Sequence, residues 1–549
     1  MQYEKTIHLE KAGTLAKFIP PSERYKIFSL KVTGFINRDD VERVLNEMCT
    51  SEGDYEGDPE DDIWVADIEH SPRLRYLDLS ESQFVGGNTF PYMGWYPLLE
   101  YIAFPQEIEY TSEKYDSGFE NASQLKTVVL PDGIKTIDGF SGCEELSNIN
   151  IPASLEKIES LAFAFCRKLT AFPIPRKVYF IGGGVFAQCG ITSFQVDPDN
   201  PYFTTVEGVI FTKDCKTLVA FPPAYPSKHY NIPEGTETIG AGAFEDCNLD
   251  TIHIPDTVMK IDAWAFECSG LREVYIPDSV TEIGELCFHG SSNIESIRLP
   301  NNIHTLEAQI FSGCNNLKEV DIPTSVKKMD VTNIVWSESL EHIYLHNGLE
   351  KITGDGPCFC KPLKYKEFYL PKTLRSFPGW LFHNCPDLKS FNLDPENPYM
   401  QSVNGAIYSK DMKKLLAVPD CLRKTFSVAN DVKEIGDFVF IGFSQLEEVT
   451  LPDSLECIGH RAFNWCHSLK EICLPANLKR LDFRAFEDCK SLERIVCLAP
   501  KPPILTGSNP HWHFLNDCKN VTVVILRDSL PLYQTDEGWK QVKLIPIED

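Results

Sequence analysis

LREVYIPDSVTEIGELCFHG, residues 271–290, is the stretch that decides the fold. Its apolar residues Val274 and Ile276 are two positions apart, which is the period of a β-strand with one face turned inward. Pro277 then ends the strand because it has no N–H to donate, and Asp-Ser supplies a turn. A second apolar pair begins at Val280 and returns the chain toward the interior. The stretch therefore predicts a strand, a turn and a return to the core, which is one winding of a coil.

The same pattern recurs along most of the chain. Each Ile-Pro or Leu-Pro pair marks one repeat, and neighbouring markers are mostly 22 or 23 residues apart. The marker prolines are Pro131, Pro152, Pro175, Pro233, Pro255, Pro277, Pro300, Pro323, Pro371, Pro452 and Pro475. His346 and Ala429 stand at the marker position of two further repeats. This period lies within the range of roughly 20 to 29 residues found in leucine-rich repeats.

A phenylalanine follows the second apolar pair of many repeats, in the motif Ala-Phe-x-x-Cys. Its members are Phe163, Phe244, Phe463 and Phe486. We expect this large side chain to fill the far corner of each coil. One coil cannot bury these residues alone, whereas stacked coils share a continuous core. The sequence therefore predicts a β-rich solenoid of parallel stacked strands.

Two interruptions of the period share one origin. FQVDPDNPYFTTVEGVIFTKDCKTLVAF, residues 194–221, matches FNLDPENPYMQSVNGAIYSKDMKKLLAV, residues 391–418, at an offset of 197. In each copy two apolar runs flank a short Lys-Asp turn, which predicts a β-hairpin. We therefore expect two protruding β-hairpin insertions, near residues 197–231 and 394–427.

Both ends of the chain depart from the repeat. The N-terminal part holds the strand LKVTGF, a helix over residues 39–48 behind an Asp N-cap, and the acidic loop SEGDYEGDPEDD. We expect one buried helical face, formed by Val41, Val44, Leu45 and Met48. The C-terminal part holds two strands around a short helical segment. Exposed apolar ends would aggregate, so we predict small α/β caps at 1–73 and 499–549 around a solenoid over 74–498.

The repeat IPDSVTEIGELCFHGSSNIESI, with Phe-x-x-Cys in its siblings, resembles the BspA-like type of leucine-rich repeat. The segments ILRDSLPLYQTDEGWKQVKLI and LDLSESQFVGG are similar to the caps of such proteins in gut bacteria. The resemblance covers nearly the whole chain from about residue 74 onward. It implies a right-handed leucine-rich-repeat superhelix that is exposed on the cell surface or secreted. It also implies adhesin-like binding of other macromolecules, with neither catalytic residues nor a cofactor.

Composition and charge restrict the partners. The 549 residues carry 79 acidic and 52 basic side chains, for a formal net charge of −27. Such a charge repels polyphosphates on average, so nucleic acid is not an expected partner. No run of about 18 to 20 apolar residues predicts a transmembrane segment. The first residues lack the basic and apolar regions of a secretory signal, so a cytoplasmic location stays open as the alternative to the cell surface.

Nineteen cysteines raise the question of disulfides. Eight of them occupy one repeat position, three residues after a Phe, namely Cys143, Cys166, Cys189, Cys247, Cys314, Cys385, Cys466 and Cys489. Stacked side chains at one repeat position point into the core rather than at one another. In single repeats another residue, such as Ser291 or Phe443, replaces the cysteine. If the cysteines formed disulfides, each such replacement would leave one cysteine without a partner. We therefore predict buried reduced thiols that act as small apolar side chains.

Motifs of catalysis and metal binding are sparse. The sequence has no P-loop, Gly-x-Ser-x-Gly or His-Glu-x-x-His motif, and no Gly-x-Gly-x-x-Gly after a strand. His511 and His513 form the tightest histidine pair, but two ligands alone do not make a zinc site. The alternating acids of residues 54–60 lack the Gly and terminal Glu of an EF-hand. We predict no metal, and an enzyme with a site in one of these cap loops is the least favoured hypothesis.

A better candidate site is the side of each strand that faces away from the core. On parallel stacked strands these residues form a ladder, and Tyr and Arg are enriched in binding hot spots. The candidate ligand-binding residues are His253, Tyr275, Arg298, His342, Tyr344 and Tyr369. We predict a non-catalytic, monomeric interaction protein that binds a protein or a glycan through this face. The alternative is a structural spacer with no specific ligand, in which Tyr merely suits an exposed strand.

Overall fold

The computed structural model describes residues 3–49, 73–91, 98–111, 119–335, 339–354, 368–382, 385, 387–419, 423–506, 514–518 and 521–547. The chain forms two compact units, Met1–Asn293 and Ile294–Asp549. Each unit is a stack of coils whose strands pair in parallel with those of the neighbouring coils. The predicted β-rich solenoid of parallel stacked strands is therefore confirmed.

The coil of residues 271–290 shows how the repeat folds. Its first strand, Glu273–Tyr275, alternates exposed and buried side chains. Pro277 follows, and its carbonyl accepts the N–H of Val280 at 3.1 Å, which closes the turn. The second strand is Glu282–Ile283. The predicted strand, turn and return to the core are all present.

The strands of the first unit form two rows, which we call the first-strand row and the second-strand row. The first-strand row begins with Tyr3–Leu9, Ile27–Ile36, Tyr76–Asp78, Tyr101–Ala103, Thr127–Val129 and Asn148–Ile149, with Ser82–Phe84 beside the second of these. It continues with Pro173–Ile174, Gln195–Val196, His229–Asn231, Thr251–His253 and Glu273–Tyr275. The second-strand row contains Thr136–Ile137, Lys157–Ile158, Phe180–Ile181, Thr238–Ile239, Lys260–Ile261 and Glu282–Ile283.

The second unit has the same two rows. Its first-strand row contains Ser296–Arg298, Glu319–Asp321, His342–Tyr344, Phe368–Leu370, Phe391–Leu393, Thr425–Ser427, Glu448–Thr450, Glu471–Leu474, Arg494–Cys497, Thr522–Ile525 and Lys543–Pro546. Its second-strand row contains Thr305–Leu306, Lys328–Asp330, Lys351–Thr353, Glu434–Ile435, Cys457–Ile458, Arg480–Asp482 and Ile504–Thr506. Helices are short in both units: Leu15–Lys17, Pro21–Arg24, Thr332–Val335, Gly379–Phe382, Arg527–Ser529, Leu530–Thr535 and Trp539–Gln541, besides the N-terminal helix described below.

The recurrent phenylalanines form the spine of the core. In the first unit Phe244, Phe266 and Phe288 lie in consecutive coils, with ring centroids 5.1 and 5.3 Å apart and nearly parallel planes. The second unit repeats the arrangement, with centroids 4.9 and 5.2 Å apart, in Phe440, Phe463 and Phe486. All six rings are fully buried. Burial of one such ring stabilises a fold by roughly 1.5–3 kcal/mol. These residues fill the corner of each coil, as predicted.

The eight cysteines that stand three residues after a phenylalanine of the repeat are buried, and none of them is in a disulfide, as predicted. They do more than fill space. The Sγ of Cys166 donates a hydrogen bond to the carbonyl of Phe140, in the coil before, at 3.1 Å. Ser291 stands at the same repeat position and donates to the carbonyl of Phe266 at 2.7 Å. This position therefore links neighbouring coils by a hydrogen bond, which the prediction of purely apolar fillers omitted.

Both hairpin insertions are present, and each has one strand more than predicted. In the first copy Phe203–Val206, Val209–Thr212 and Thr217–Ala220 form an antiparallel three-stranded sheet. Its last strand pairs in parallel with Thr238–Ile239, so the insertion continues the second-strand row. The same pairing occurs in the second copy, whose strands are Met400–Val403, Ala406–Ser409, Lys414–Ala417 and Glu434–Ile435. The expected protrusion is wrong because the central strands bury their apolar side chains in the core.

A buried asparagine anchors each insertion to the coil before it. The amide nitrogen of Asn200 donates to the carbonyls of Pro175 and Val178 at 2.8 and 2.9 Å. Its oxygen accepts the N–H groups of Tyr202 and Phe203, both at 2.8 Å. Asn397 makes the same four bonds in the second copy, to Pro371, Leu374, Tyr399 and Met400. Each amide uses its full hydrogen-bonding capacity, so the Asp-Pro-Asp/Glu-Asn-Pro motif joins the insertion to the stack.

The N-terminal helix spans Arg38–Asp40, a wider π-helical turn over Val41–Leu45, and Asn46–Cys49. Its N-cap is Asn37, whose side chain accepts the N–H of Asp40 at 3.1 Å. The predicted Asp N-cap is therefore wrong, because Asp40 is buried and completes the capping box from the third helical position. The buried face is confirmed for Val41, Val44, Leu45 and Met48.

Two aromatic residues close the C-terminal end of the second unit. Trp539 and Tyr533 are fully buried, and the indole Nε1 of Trp539 donates to the carbonyl of Pro503 at 2.8 Å. The strands Thr522–Ile525 and Lys543–Pro546 pair in parallel around the helical segment, as predicted. The cap boundaries themselves stay a prediction.

Candidate functional site

The six candidate residues fall in both units. His253 and Tyr275 belong to the first unit, and Arg298, His342, Tyr344 and Tyr369 belong to the second. Tyr275 is the most exposed of the tyrosines, at 60%, and Arg298 is half-buried. Each residue lies on a strand of the first-strand row, whose neighbouring side chains point into the core. Their role in binding stays a prediction.

In the first unit the candidates extend a polar surface that begins one coil earlier. Asn231 pairs with His253, and Thr251 pairs with Glu273, so Tyr275 continues the row of His253. Beside this row, the Nδ1 atom of His229 and the Oγ1 atom of Thr251 are 2.5 Å apart. The surface therefore combines an aromatic ring with imidazole, hydroxyl and carboxylate groups.

In the second unit His342 and Tyr344 lie together on one strand. Their rings stack with centroids 6.2 Å apart and planes 17° apart. The hydroxyl of Tyr344 donates to Oε2 of Glu319 at 3.3 Å. The negative charge of Glu319 holds the pKa of Tyr344 above its ordinary value. Next to them, Nε2 of His346 lies 2.6 Å from Oδ1 of Asp321.

Tyr369 belongs to a separate two-stranded sheet, where it pairs with Asn392. Its hydroxyl donates to Oδ2 of Asp394 at 3.0 Å. Burial, and then Asp394, raise the pKa of Tyr369. The structure therefore brings His342 and Tyr344 together and gives Tyr369 its own acidic neighbour.

These surfaces are suited to binding an extended partner. Tyrosine rings offer apolar contact area, and their hydroxyl groups, the imidazoles and the carboxylates offer hydrogen bonds. The sequence prediction counted Asp321 among the outward-facing residues but not among the candidates, and it did not name Glu319 or Asp394. The signal was present, since Glu319 and Asp321 occupy outward positions of the same strand and Asp394 follows a strand end directly.

The part of the chain that the structure describes offers little support for a catalytic or metal-binding site. Within those ranges, no three His, Cys, Asp or Glu side chains lie together in a way that could hold a metal ion. The pair His511 and His513 and the acids of residues 54–60 lie outside the described residues. Of the described helices, none has the length and apolar character that crossing a bilayer requires.

Three solved structures from bacteria are similar to this chain. One is a leucine-rich repeat protein from Eubacterium ventriosum ATCC 27560, with 16% identity over 58% of this chain and 93% of that one, and a TM-score of 0.43. A leucine-rich repeat protein from Bacteroides ovatus ATCC 8483 has 22% identity over 77% of this chain and 92% of that one, with a TM-score of 0.39. A leucine rich cell surface protein from Faecalibacterium prausnitzii A2-165 has 20% identity over 66% and 84%, with a TM-score of 0.39.

No curated protein sequence matches the chain. A family model does match: the BspA type leucine rich repeat region, in six copies. The matched residues are 92–218, 220–334, 310–404 and 419–509, which is well over half of the chain. The match lies on the coils whose Pro turns, stacked Phe rings and parallel strands are described above. The chain therefore belongs to the family of BspA-type leucine-rich repeat proteins.

Proposed function

We propose that this chain is a non-catalytic, adhesin-like interaction protein that binds a protein or a glycan through its first-strand rows. The observation that carries the proposal is the exposed pairing of tyrosines with hydrogen-bonding groups on rigid strands, above all Tyr344 beside His342 and Glu319. Rigid aromatic side chains lose little conformational entropy on binding, so they make effective anchors. Solenoid faces of this kind are extended binding surfaces in other repeat proteins.

We also propose that the protein acts as a monomer on the cell surface or outside the cell. Nucleic acid is not its partner in this proposal. The BspA-type family supports the location. The net charge of −27 supports the exclusion of nucleic acid, because a polyphosphate would be repelled. Light scattering coupled to size exclusion tests the oligomeric state, and a dimer would contradict the proposal on that point.

The triple variant Tyr275→Ala, Arg298→Ala, Tyr344→Ala tests the binding surface. Purified protein is applied to immobilised mucin glycoprotein and to a defined glycan array, and binding is measured by biolayer interferometry. We expect the triple variant to lose at least about tenfold in affinity, because hot-spot truncations cost about 2 kcal/mol or more each. Its thermal midpoint should stay close to that of the unmodified chain, since Tyr275 and Tyr344 are exposed and Arg298 is half-buried.

Tyr202→Ala is the matched control, because Tyr202 is 51% exposed but lies on the first insertion. We expect it to bind as the unmodified chain does. Unchanged binding by the triple variant would show that the first-strand rows are not the binding surface. Binding to none of the probes would favour the structural spacer.

A further inference from the structure

The second unit contains a cleft of about 610 Å³ beside the second insertion. It is bordered by residues 351–354, by the corner of residues 375–380, and by residues 436–438 in the coil after the insertion. Its volume is that of a site for a small molecule or for one or two units of a polymer. The cleft lies on the side of the second-strand row, away from the candidate residues of the first-strand row.

The lining of the cleft combines aromatic and polar groups. Phe377 and Phe438 are half-buried and line it, while Trp380 is nearly fully buried. Thr353 and Ser376 add hydroxyl groups. Partly exposed rings beside hydroxyl groups suit a ligand that has both an apolar face and hydrogen-bonding groups along its edge.

The charged groups of the lining are mainly cationic. They are Lys351, Arg375, Lys414 and Asp437. The one acid is already engaged, because Oδ1 of Asp437 accepts the N–H of His460 at 2.8 Å. Arg375 and Lys414 each form an ion pair. Nη2 of Arg375 lies 3.2 Å from Oε2 of Glu350, and Nζ of Lys414 lies 2.6 Å from Oε1 of Glu434. Lys351 is different, since no described carboxylate lies within 4.0 Å of its Nζ atom.

Lys351 also has a like-charged neighbour. Lys328 pairs with Lys351 in the parallel second-strand row, both side chains are exposed, and Lys328 likewise has no carboxylate within ion-pair distance among the described residues. Like charges directly opposite each other on adjacent strands destabilise a sheet. In a chain with a net charge of −27, acids to neutralise the pair are abundant. Such an uncompensated pair beside a cleft indicates an anionic ligand.

The lysine at the matching place in the first unit has different neighbours. The sequences LEKI at 155–158 and LEKI at 349–352 stand at matching places before the two insertions. Lys157 has Thr136 as its strand neighbour instead of a lysine, and its Nζ atom lies 5.5 Å from the ring centroid of Tyr179. In the first unit this lysine therefore has an aromatic ring and a threonine beside it, whereas Lys351 has the like-charged Lys328 opposite it.

We propose that this cleft binds an acidic sugar unit of a glycan. Its carboxylate or sulfate group interacts with Lys351, supported by Lys328 and Arg375, because charge-assisted hydrogen bonds to such anions are strong. The C–H face of the sugar ring packs on Phe377 and Phe438, and its hydroxyl groups bond Thr353 and Ser376. A few cations around one cleft suit an isolated anionic group better than the continuous charge of a nucleic acid, which the whole chain repels.

Calorimetric titration of the full chain tests the proposal with three defined probes: tetragalacturonic acid, sulfated cellotetraose and neutral cellotetraose. We expect one or both acidic probes to bind, at least about tenfold more tightly than the neutral one, with an affinity that falls as salt is added. The probe that binds more tightly identifies the anionic group. Lys351→Gln should weaken binding by at least about tenfold, and Lys328→Gln by less.

Lys157→Gln is the matched control, because it removes a lysine from the same repeat position of the first unit. It should bind the acidic probe as the unmodified chain does. The proposal is overturned if neither acidic probe binds at millimolar concentration, or if Lys351→Gln binds as well as Lys157→Gln. Tighter binding of an oligo-aspartate peptide or of single-stranded DNA would overturn the assignment to a glycan.

Discussion

The two hairpin insertions have the same backbone and different corners. Both are three-stranded, both join the second-strand row, and both are anchored by a buried asparagine. The corner before the first insertion reads Ile-Gly-Gly-Gly, residues 181–184, and the matching corner before the second reads Phe-Pro-Gly-Trp, residues 377–380. One scaffold therefore carries two sets of side chains at one position of the solenoid.

The difference lies in how closely the corner approaches the coil after the insertion. Gly184 has a φ of +61°, and a Cβ atom placed on it would lie 2.1 Å from Oε2 of Glu245. Trp380 takes the matching position in the second unit, where it is buried and lines the cleft. Glycine thus permits close approach of the backbone to the half-buried Glu245, whereas the second corner places aromatic side chains beside a cleft. The two insertions share a backbone, and the corner residues differ in the side chains that they place beside it.

The largest effect should come from the feature that the two insertions share. We expect Asn200→Ala and Asn397→Ala each to reduce the free energy of unfolding by about 4 kcal/mol, because each leaves four main-chain groups without their partner in a buried place. Urea denaturation followed by circular dichroism measures the loss. The exposed Asn248→Ala is the control and should cost less than about 0.5 kcal/mol. A large loss at only one of the two asparagines would contradict their equivalence.

The next effect concerns the second corner, with Trp264 in a later coil of the first unit as the comparison. Trp380→Ala removes a buried ring and should cost about 3 kcal/mol, the lower end for such a truncation, because the adjoining cleft lets the site relax. Trp264→Ala in the first unit removes a ring that is 40% exposed and should cost less than about 1 kcal/mol. Thermal denaturation of the two variants compares them. An equal loss would mean that Trp380 does not support the second corner.

A third prediction uses pH, which should act on the first corner. Burial, with Glu267 and Asp246 nearby, raises the pKa of Glu245 to about 8, and Ile441 stands at the matching place in the second unit. Folding therefore favours the protonated acid, so its contribution is full below the unfolded pKa of about 4.5 and is lost as the pH rises toward 8. Between pH 5 and pH 8 this acid should therefore cost the fold roughly 3 kcal/mol, and we expect Glu245→Gln to abolish that loss.

Urea titrations at the two pH values measure this difference. Glu273→Gln, which changes an exposed acid of the same unit, should leave the pH dependence as it is. If Glu245→Gln retained the whole pH dependence, Glu245 would not be its source.

The smallest effect concerns charge at the last strand of each insertion. Lys414 and Glu434 pair at 2.6 Å in the second copy, where the first has Thr217 and Thr238. Both charged side chains are more than a third exposed, so Lys414→Met should cost less than about 1 kcal/mol. Differential scanning calorimetry at low and high salt measures the change, and salt should reduce it. A loss above about 2 kcal/mol would show that this ion pair anchors the insertion.

The repeat could be predicted from the sequence because each of its features acts locally. Alternating apolar residues, a proline and a recurrent Phe need only neighbouring coils to explain them, and the parallel stack follows. The hydrogen bond made by the residue at the Cys position was not predicted. Ser291 at that position could have indicated it, because a thiol and a hydroxyl have in common that they donate hydrogen bonds and not that they are apolar. The anchoring role of Asn200 was missed because its partners, Pro175 and Val178, lie more than twenty residues away in the sequence.

For the candidate surfaces, the sequence predicted which side chains face outward but not what surrounds them. The carboxylates that accept hydrogen bonds from Tyr344 and Tyr369 come from the neighbouring coil or from the end of the neighbouring strand, 25 residues away in both cases. The cleft was not predicted at all, because its lining comes from three coils and an insertion. Such sites depend on which coils meet, and the repeat alone does not specify that.

The sequence by itself determined the repeat, the buried Phe and Cys positions, and the places where the two insertions enter. These depend on periodic burial of apolar surface, a property that each coil carries in its own residues. Only the tertiary structure decided that the insertions join the second-strand row, and that the second corner borders a cleft in which Lys351 has no carboxylate within ion-pair distance among the described residues. Both follow from contacts between coils that are far apart in sequence, where side-chain volume and the balance of charges act only after stacking.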